Sequence, residues 1–353
     1  MSEAFINRIA TANPPHDVHD AFLRFGRRML KSDNRRVALF DRMADRSGIA
    51  HRYSCLRPGN GGMTVDADGF YSLGDFPDTA ARMRKYEDCA PALAADAVEK
   101  LLQGEDRSRI THLIVTSCTG FSAPGVDLAL IEQCGLQPSL ERTMVGFMGC
   151  YAAINGLKLA RHIVRSEPGA RVLTVNLELC TLHLQETAEM DEILSFLLFG
   201  DGCAAALVSA DQKGVAMESF QAALVPDTRE LIRWHIRRQG FDMVLSGAVP
   251  GAIRAALAAS QEKILRGAND VELWAVHPGG RSVLDAVEQA FVLPPAALQP
   301  SRTVLRDYGN MSSGTVMFVL DDIMRSSKGG QRGCAMSFGP GLVAETMMFH
   351  IAA

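Results

Sequence analysis

Apolar residues along the chain gather in two kinds of stretch. Short, largely apolar runs at 112–117, 171–176, 203–208, 273–276 and 333–337 read as β-strands buried on both faces. Between them, at 90–102, 125–134, 252–265, 283–289 and 314–324, the spacing reads as helix, and a further helical run starts at Ala152 and continues through Ile154, Leu157, Ala160 and Ile163. Strands alternating with helices predict an α/β protein whose sheet is mostly parallel and covered on both faces. Upstream, residues 1–20 are polar and marked by Asn13, Pro14 and Pro15, which reads as a loop. Residues 18–48 read as one helix, and residues 55–80, with repeated Gly, Asp and Pro, as a long excursion. The rhythm recurs after about residue 220, so two similar units are expected, 1–220 and 221–353; no alignable repeat is visible, and element order alone carries this.

Length and charge narrow the picture. A chain of 353 residues can bury a large core, and 36 Lys plus Arg against 40 Asp plus Glu, a net charge of -4, give no bulk reason to expect nucleic acid. Local basic clusters must carry any anion binding. One is the set Arg24, Arg27, Arg28, Lys31, Arg35, Arg36, Arg42 and Arg46, either a solvated helix face or a mouth that draws in a phosphate-bearing substrate. Eight cysteines, at 55, 89, 118, 134, 150, 180, 203 and 334, show no Cys-x-x-Cys pair and no zinc-ligand spacing, which fits a reduced cytoplasmic enzyme without a metal. The acids of 186–192 read as a surface loop. No signal core opens the chain and no apolar run approaches the roughly 20 residues of a membrane span.

Candidate chemistry centres on Gly-Phe-Met-Gly-Cys150-Tyr-Ala-Ala. A cysteine where a helix begins is placed to attack as thiolate, because the unpaired N–H groups there favour negative charge. Gly149 would leave room for an acyl group. His277 directly follows the strand at 273–276, the end of a strand where α/β proteins build their crevices. Asn310 opens a helix among small polar residues. Taken singly, each has a plainer reading: a small core thiol, a turn histidine, a helix cap. Together they complement one another. Cys150 would form an acyl thioester, His277 would stabilise its thiolate, and His277 with Asn310 would donate hydrogen bonds to a thioester oxygen as enolate charge develops. Such donors suit decarboxylation of a malonyl thioester, which needs no general base; in a cysteine protease the asparagine would orient the histidine instead.

The runs around Cys150, together with Leu198-Phe199-Gly-Asp-Gly202, His277-Pro-Gly-Gly280, Gly309-Asn310-Met-Ser-Ser313 and Phe338-Gly-Pro-Gly341, resemble the type III polyketide synthases, the chalcone synthase-like enzymes. The likeness starts at Ile9-Ala-Thr-Ala-Asn-Pro-Pro15 and covers nearly the whole chain. It implies a thiolase-like αβαβα fold in two pseudo-repeated halves, a homodimer, acyl-CoA and malonyl-CoA as substrates, and no cofactor. By motif, Cys150 is the nucleophile, His277 and Asn310 the decarboxylation pair, and Phe199 a gatekeeper aromatic. Arg42 and Arg46 match a run that contacts CoA phosphates, and Gly339 and Gly341 would shape the cavity wall. Ser312 belongs to the Asn310 motif and is taken with the pocket.

Four places depart from the plant pattern: Cys118-Thr119-Gly120 replaces a Thr-Thr-Ser-Gly-like run, His183 stands near a position often Thr, Trp234 where many relatives have Gly, and Met243 where plants have a second gatekeeper phenylalanine. These argue against ordinary chalcone synthesis and lean towards a medium or long fatty acyl starter giving alkylpyrones or alkylresorcinols. A malonyl or aromatic starter stays open. So do a β-ketoacyl carrier-protein synthase of the initiating type, whose partner would be an acyl carrier protein, and a silent acyl-binding scaffold.

Overall fold

The computed structural model describes residues 3–31, 33–60, 63–193 and 195–353. Eleven strands matter here: β1 (Phe5–Ala12), β2 (His112–Ser117), β3 (Glu141–Gly146), β4 (Val172–Leu179), β5 (Asp201–Ser209), β6 (Val215–Leu224), β7 (Ile232–Arg237), β8 (Gly240–Leu245), β9 (Val271–Val276), β10 (Arg332–Gly339) and β11 (Val343–Ile351). The main helices are α1 (His19–Met29), α2 (Asn34–Ser47), α3 (Thr79–Leu101), α4 (Val126–Gln133), α5 (Ala152–Ser166), α6 (Val249–Leu265), α7 (Arg281–Phe291), α8 (Gln299–Tyr308) and α9 (Thr315–Ser326).

Nine strands form one sheet in the order β9-β10-β11-β6-β1-β5-β4-β2-β3. The order β1-β5-β4-β2 in the first half is repeated by β6-β11-β10-β9 in the second, with the same directions: antiparallel, antiparallel, parallel. The halves join where β1 pairs antiparallel with β6, Phe5 opposite Ala216. Position 220 lies inside β6.

Side chains alternating along the strands divide the interior into layers. Ile114 and Ala275 point to the middle layer, where Ile154 and Leu157 of α5 meet Val316 and Leu320 of α9. Leu113 and Val115 point the other way, to α1, α3 and α4. Trp274 and Val276 do the same towards α6, α7 and α8. The result is helix, half-sheet, helix, half-sheet, helix, the two halves belonging to the one nine-stranded sheet.

Several expectations are corrected. The sheet is mixed: only β2–β3, β2–β4 and β9–β10 are parallel. Residues 5–12 are a central strand, paired on both edges. Asn7 and Arg8 hid it, yet Asn7 Nδ2 donates to the Asp211 and Lys213 carbonyls and Arg8 Nη1 to that of Gln103. The helix expected over 18–48 breaks at Asp33, whose carboxylate accepts from the N–H groups of Arg35 and Arg36 and starts α2 afresh. The helix placed at 90–102 begins at Thr79, capped by Asp78, and carries Pro91 in its interior.

Candidate active site

Cys150 sits in a single 3-10 turn, Gly149–Tyr151, that runs straight into α5. α5 exists because Ala153, Ile154, Leu157, Ala160 and Val164 make one apolar stripe that is buried in the middle layer. Gly149 has a further reason beside the one read from sequence: it adopts φ +74°, and a Cβ there would overlap the Pro340 ring. Backbone conformation and close packing thus require this glycine, which also lines the cavity beside Cys150. Burial pushes the Cys150 thiol up to about 12, against the pull of Ser312 and Asn310. The helix start alone therefore does not make a thiolate.

His277 follows β9, its N–H donating to the Met336 carbonyl of the neighbouring β10. The residue is 1 % exposed, and among the described residues neither ring nitrogen has a hydrogen-bond partner. Burial pulls the imidazole down to about 3. No hydrogen bond joins it to Cys150, so the stabilising contact expected between them is not made in this state. Asn310 is oriented by its own turn: Oδ1 accepts from the Ser312 N–H at 2.8 Å, which turns Nδ2 towards the Gly279 carbonyl at 3.3 Å. Ser312 adopts φ +47°, a strained conformation for a residue with a side chain.

All three side chains line one cavity of about 620 Å³, a size suited to a small-molecule substrate. Phe199, Cys118, Thr119, Ser312, Trp234 and Met243 line it, and so do His183 and Gly339. Trp234 and Met243 are directly opposite each other in the β7–β8 hairpin. The indole N–H donates to the Cys118 carbonyl at 2.8 Å, which fastens the hairpin to the cavity floor. His183 is bolted between the Thr119 carbonyl (Nε2, 2.6 Å) and the Phe241 N–H (Nδ1, 3.0 Å), and it stacks on Phe241 at 4.1 Å. These partners put its proton on Nε2, and burial holds the ring neutral. Cys118 Sγ accepts from the Gly149 N–H at 3.0 Å, and burial raises its thiol well above the usual range.

Two expected residues fall outside. Arg46 stands at the cavity mouth with Arg281, whereas Arg42 is exposed and does not line it. Gly341 also lies off the lining; its carbonyl accepts from Thr228 Oγ1.

Sequence reading missed Glu178. It is fully buried and accepts from the Cys118 N–H, the Thr119 hydroxyl and the Ser313 hydroxyl, and burial raises its carboxyl to about 7. The signal was present: an acid inside Val-Leu-Thr-Val-Asn-Leu-Glu-Leu, a strand otherwise suited to burial. Among the described residues no group of three or more His, Cys, Asp or Glu side chains is placed to hold a metal ion. No described helix is long and apolar enough to cross a membrane.

A thiolase-like fold with a cysteine, a histidine and an asparagine in one cavity defines the class of acyl-transferring, carbon-carbon condensing enzymes. Comparison with known proteins narrows this. The model of the chalcone and stilbene synthase N-terminal domain matches residues 3–212, and that of the C-terminal domain matches residues 216–352. A bisdemethoxycurcumin synthase of rice, Oryza sativa subsp. japonica, is 34% identical over 375 residues, covering 98% of this chain and 92% of the relative. Among solved structures, PKS-I of the brown alga Ectocarpus siliculosus superposes with a TM-score of 0.90 at 30% identity, covering 99% of both chains. The C-terminal type III polyketide synthase domain of Steely1 from Dictyostelium shares the fold, with a TM-score of 0.91 at 23% identity, covering 99% of this chain and 100% of that one. The chain belongs to the chalcone and stilbene synthase family and is a type III polyketide synthase. Enzymes of this family work on CoA substrates and need no cofactor.

Proposed function

We propose that Cys150 carries the growing acyl chain and that His277 and Asn310 hold the enolate that extends it. The observation behind this is the meeting of the three side chains in one cavity, with both His277 nitrogens unpartnered. Residues 1–220 then supply the nucleophile and residues 221–353 both donors. Sγ attacks the starter thioester, the tetrahedral intermediate collapses, and CoA leaves as its thiolate. Malonyl-CoA then loses carbon dioxide. The electron pair of the broken C–C bond moves to the thioester oxygen, which Asn310 Nδ2 and an imidazole N–H receive. The enolate carbon attacks the Cys150 thioester, a C–C bond forms, and the Cys150 thiolate leaves with the lengthened chain on CoA. Arg46 at the mouth is suited to the CoA phosphates.

For the starter we favour a medium or long fatty acyl-CoA, cyclised to a pyrone or a resorcinol. Ile232, Met243, Leu245, Val249 and Ile253 make one side of the cavity apolar, a surface that an alkyl chain buries well. An aromatic starter has support in the His183, Trp234 and Phe241 cluster and in the name of the rice relative. Product mass spectrometry with malonyl-CoA and a panel of starters decides: alkylpyrones or alkylresorcinols from fatty acyl-CoA support the first reading, and products from aromatic or malonyl starters alone reject it.

A homodimer fits the sheet. β3 pairs with β2 on one edge only, and Met144 on it, with Phe121 and Met148 nearby, is exposed. A second copy would cover this edge; sedimentation equilibrium reading the mass of a single 38.2 kDa chain would reject that. Delivery by CoA is favoured over a carrier protein, and a cytoplasmic setting accords with eight free cysteines.

A further inference from the structure

Arg52 is 0% exposed, and among the described residues no carboxylate forms an ion pair with it. Asp17, the acid that acts on it, accepts from the Arg52 backbone N–H and is hydrogen-bonded to His51 at 2.6 Å. The guanidinium instead spends its donors on neutral groups. Nε donates to His19 Nδ1 at 3.0 Å, Nη1 donates to the Phe199 carbonyl at 3.2 Å, and Nη2 has no partner among the described residues. A buried, unneutralised cation is costly to keep, so its placement calls for a reason.

The reason lies in what it leans on. Segments 198–200 and 309–310 are stitched together, the Asn310 N–H donating to the Leu198 carbonyl at 2.8 Å and the Gly200 N–H to the Asn310 carbonyl at 3.0 Å. Phe199 and Asn310, both cavity residues, thus share one bridge. Arg52 lies behind it. A Cβ on Gly309 would come within 2.7 Å of Arg52 Cγ, and one on Gly200 within 3.5 Å of Arg52 Cβ, so the stem packs on both glycines while its head holds the Phe199 carbonyl.

We propose that Arg52 is a positioning residue, the brace that fixes the gate aromatic Phe199 and the donor Asn310 in one geometry from behind the cavity. The proposal rests on the reading of Asn310 as an enolate donor. A loosened bridge would let the Asn310 amide wander from the enolate oxygen, and a misplacement of about 1 Å costs on the order of 100-fold in rate.

The test uses the full chain with Arg52→Lys, Arg52→Gln and His19→Ala, the last removing the acceptor of Nε while leaving Phe199 and Asn310 untouched. Malonyl-CoA decarboxylation is followed for kcat and KM, alongside the melting temperature and acylation of Cys150 by intact mass. The expected result is a fall in kcat of about 10- to 100-fold in both Arg52 variants, a smaller fall in His19→Ala, and an unmoved KM and Cys150 acylation. Full kcat in folded Arg52→Lys overturns the proposal, as does a kcat loss that only tracks the melting temperature. If the wild-type chain fails to decarboxylate malonyl-CoA, or Asn310→Ala is as fast as wild type, the reading of Asn310 fails instead, and the two failures are told apart.

Discussion

Cys150 and His277 pose a problem of charge at the scale of single residues. Burial drives the thiol up to about 12 and the imidazole down to about 3, so neither ionises alone near neutral pH. Moving the thiol proton onto the imidazole makes both charges at once in one cavity, where each offsets the desolvation of the other. The sign follows: an imidazolium beside the sulfur lowers the thiol pKa, and losing it returns the thiol to the high value that burial sets. His277→Gln is expected to slow iodoacetamide alkylation of the Cys150 peptide at pH 7 by about tenfold or more, with the rate still climbing above pH 9 where wild type has levelled off. Identical pH profiles would remove the pair from the mechanism. Cys150, His277 and Asn310 stood out in the sequence because each sits at the end of an element: Cys150 and Asn310 just ahead of a helix, His277 just after a strand. The φ of Gly149 and the Pro340 ring beside it were not legible because the backbone sets them, and Glu178 was passed over because its three donors come from two distant segments, Cys118-Thr119 and Ser313.

At the scale of elements, the β7–β8 hairpin is what gives this cavity its own shape. It lies outside the nine-stranded sheet and is tied down by the Trp234 indole on the Cys118 carbonyl and by the Phe241 N–H on His183. Trp234→Gly removes both the bulk and the tie, and is expected to lengthen the products or widen the range of starters, read by product mass spectrometry; an unaltered profile would put the indole outside the path of the chain. The strands that sequence missed are β1, β3, β6, β7, β8 and β11, and the cause is plainest at β3. A strand with a polar face or an open edge makes no continuous apolar run, and β3 is exposed along four of its six residues. β2, β4 and β5 are buried along their whole length, and they were found because apolar residues dominate each run.

At the scale of the whole molecule, the matching order of β1-β5-β4-β2 and β6-β11-β10-β9 puts equivalent elements on either side of α5 and α9. Cys150 opens onto the cavity from the N-terminal end of α5 in the first half, and Asn310 approaches it just ahead of α9 in the second. The duplication was legible from element order, although the chain shows no repeat, because layers are fixed by where strands and helices fall along the chain rather than by which apolar residue fills each place. The site thus depends on two halves that meet correctly, and its central claim is the thioester on Cys150. The most direct measurement is the intact mass of the protein after brief exposure to acyl-CoA, with the adduct located by peptide mapping. The account predicts one acyl group on Cys150, none on Cys150→Ala, and malonyl-CoA decarboxylation persisting in that variant; an acyl group found on another residue, or polyketide made by Cys150→Ala, would contradict it.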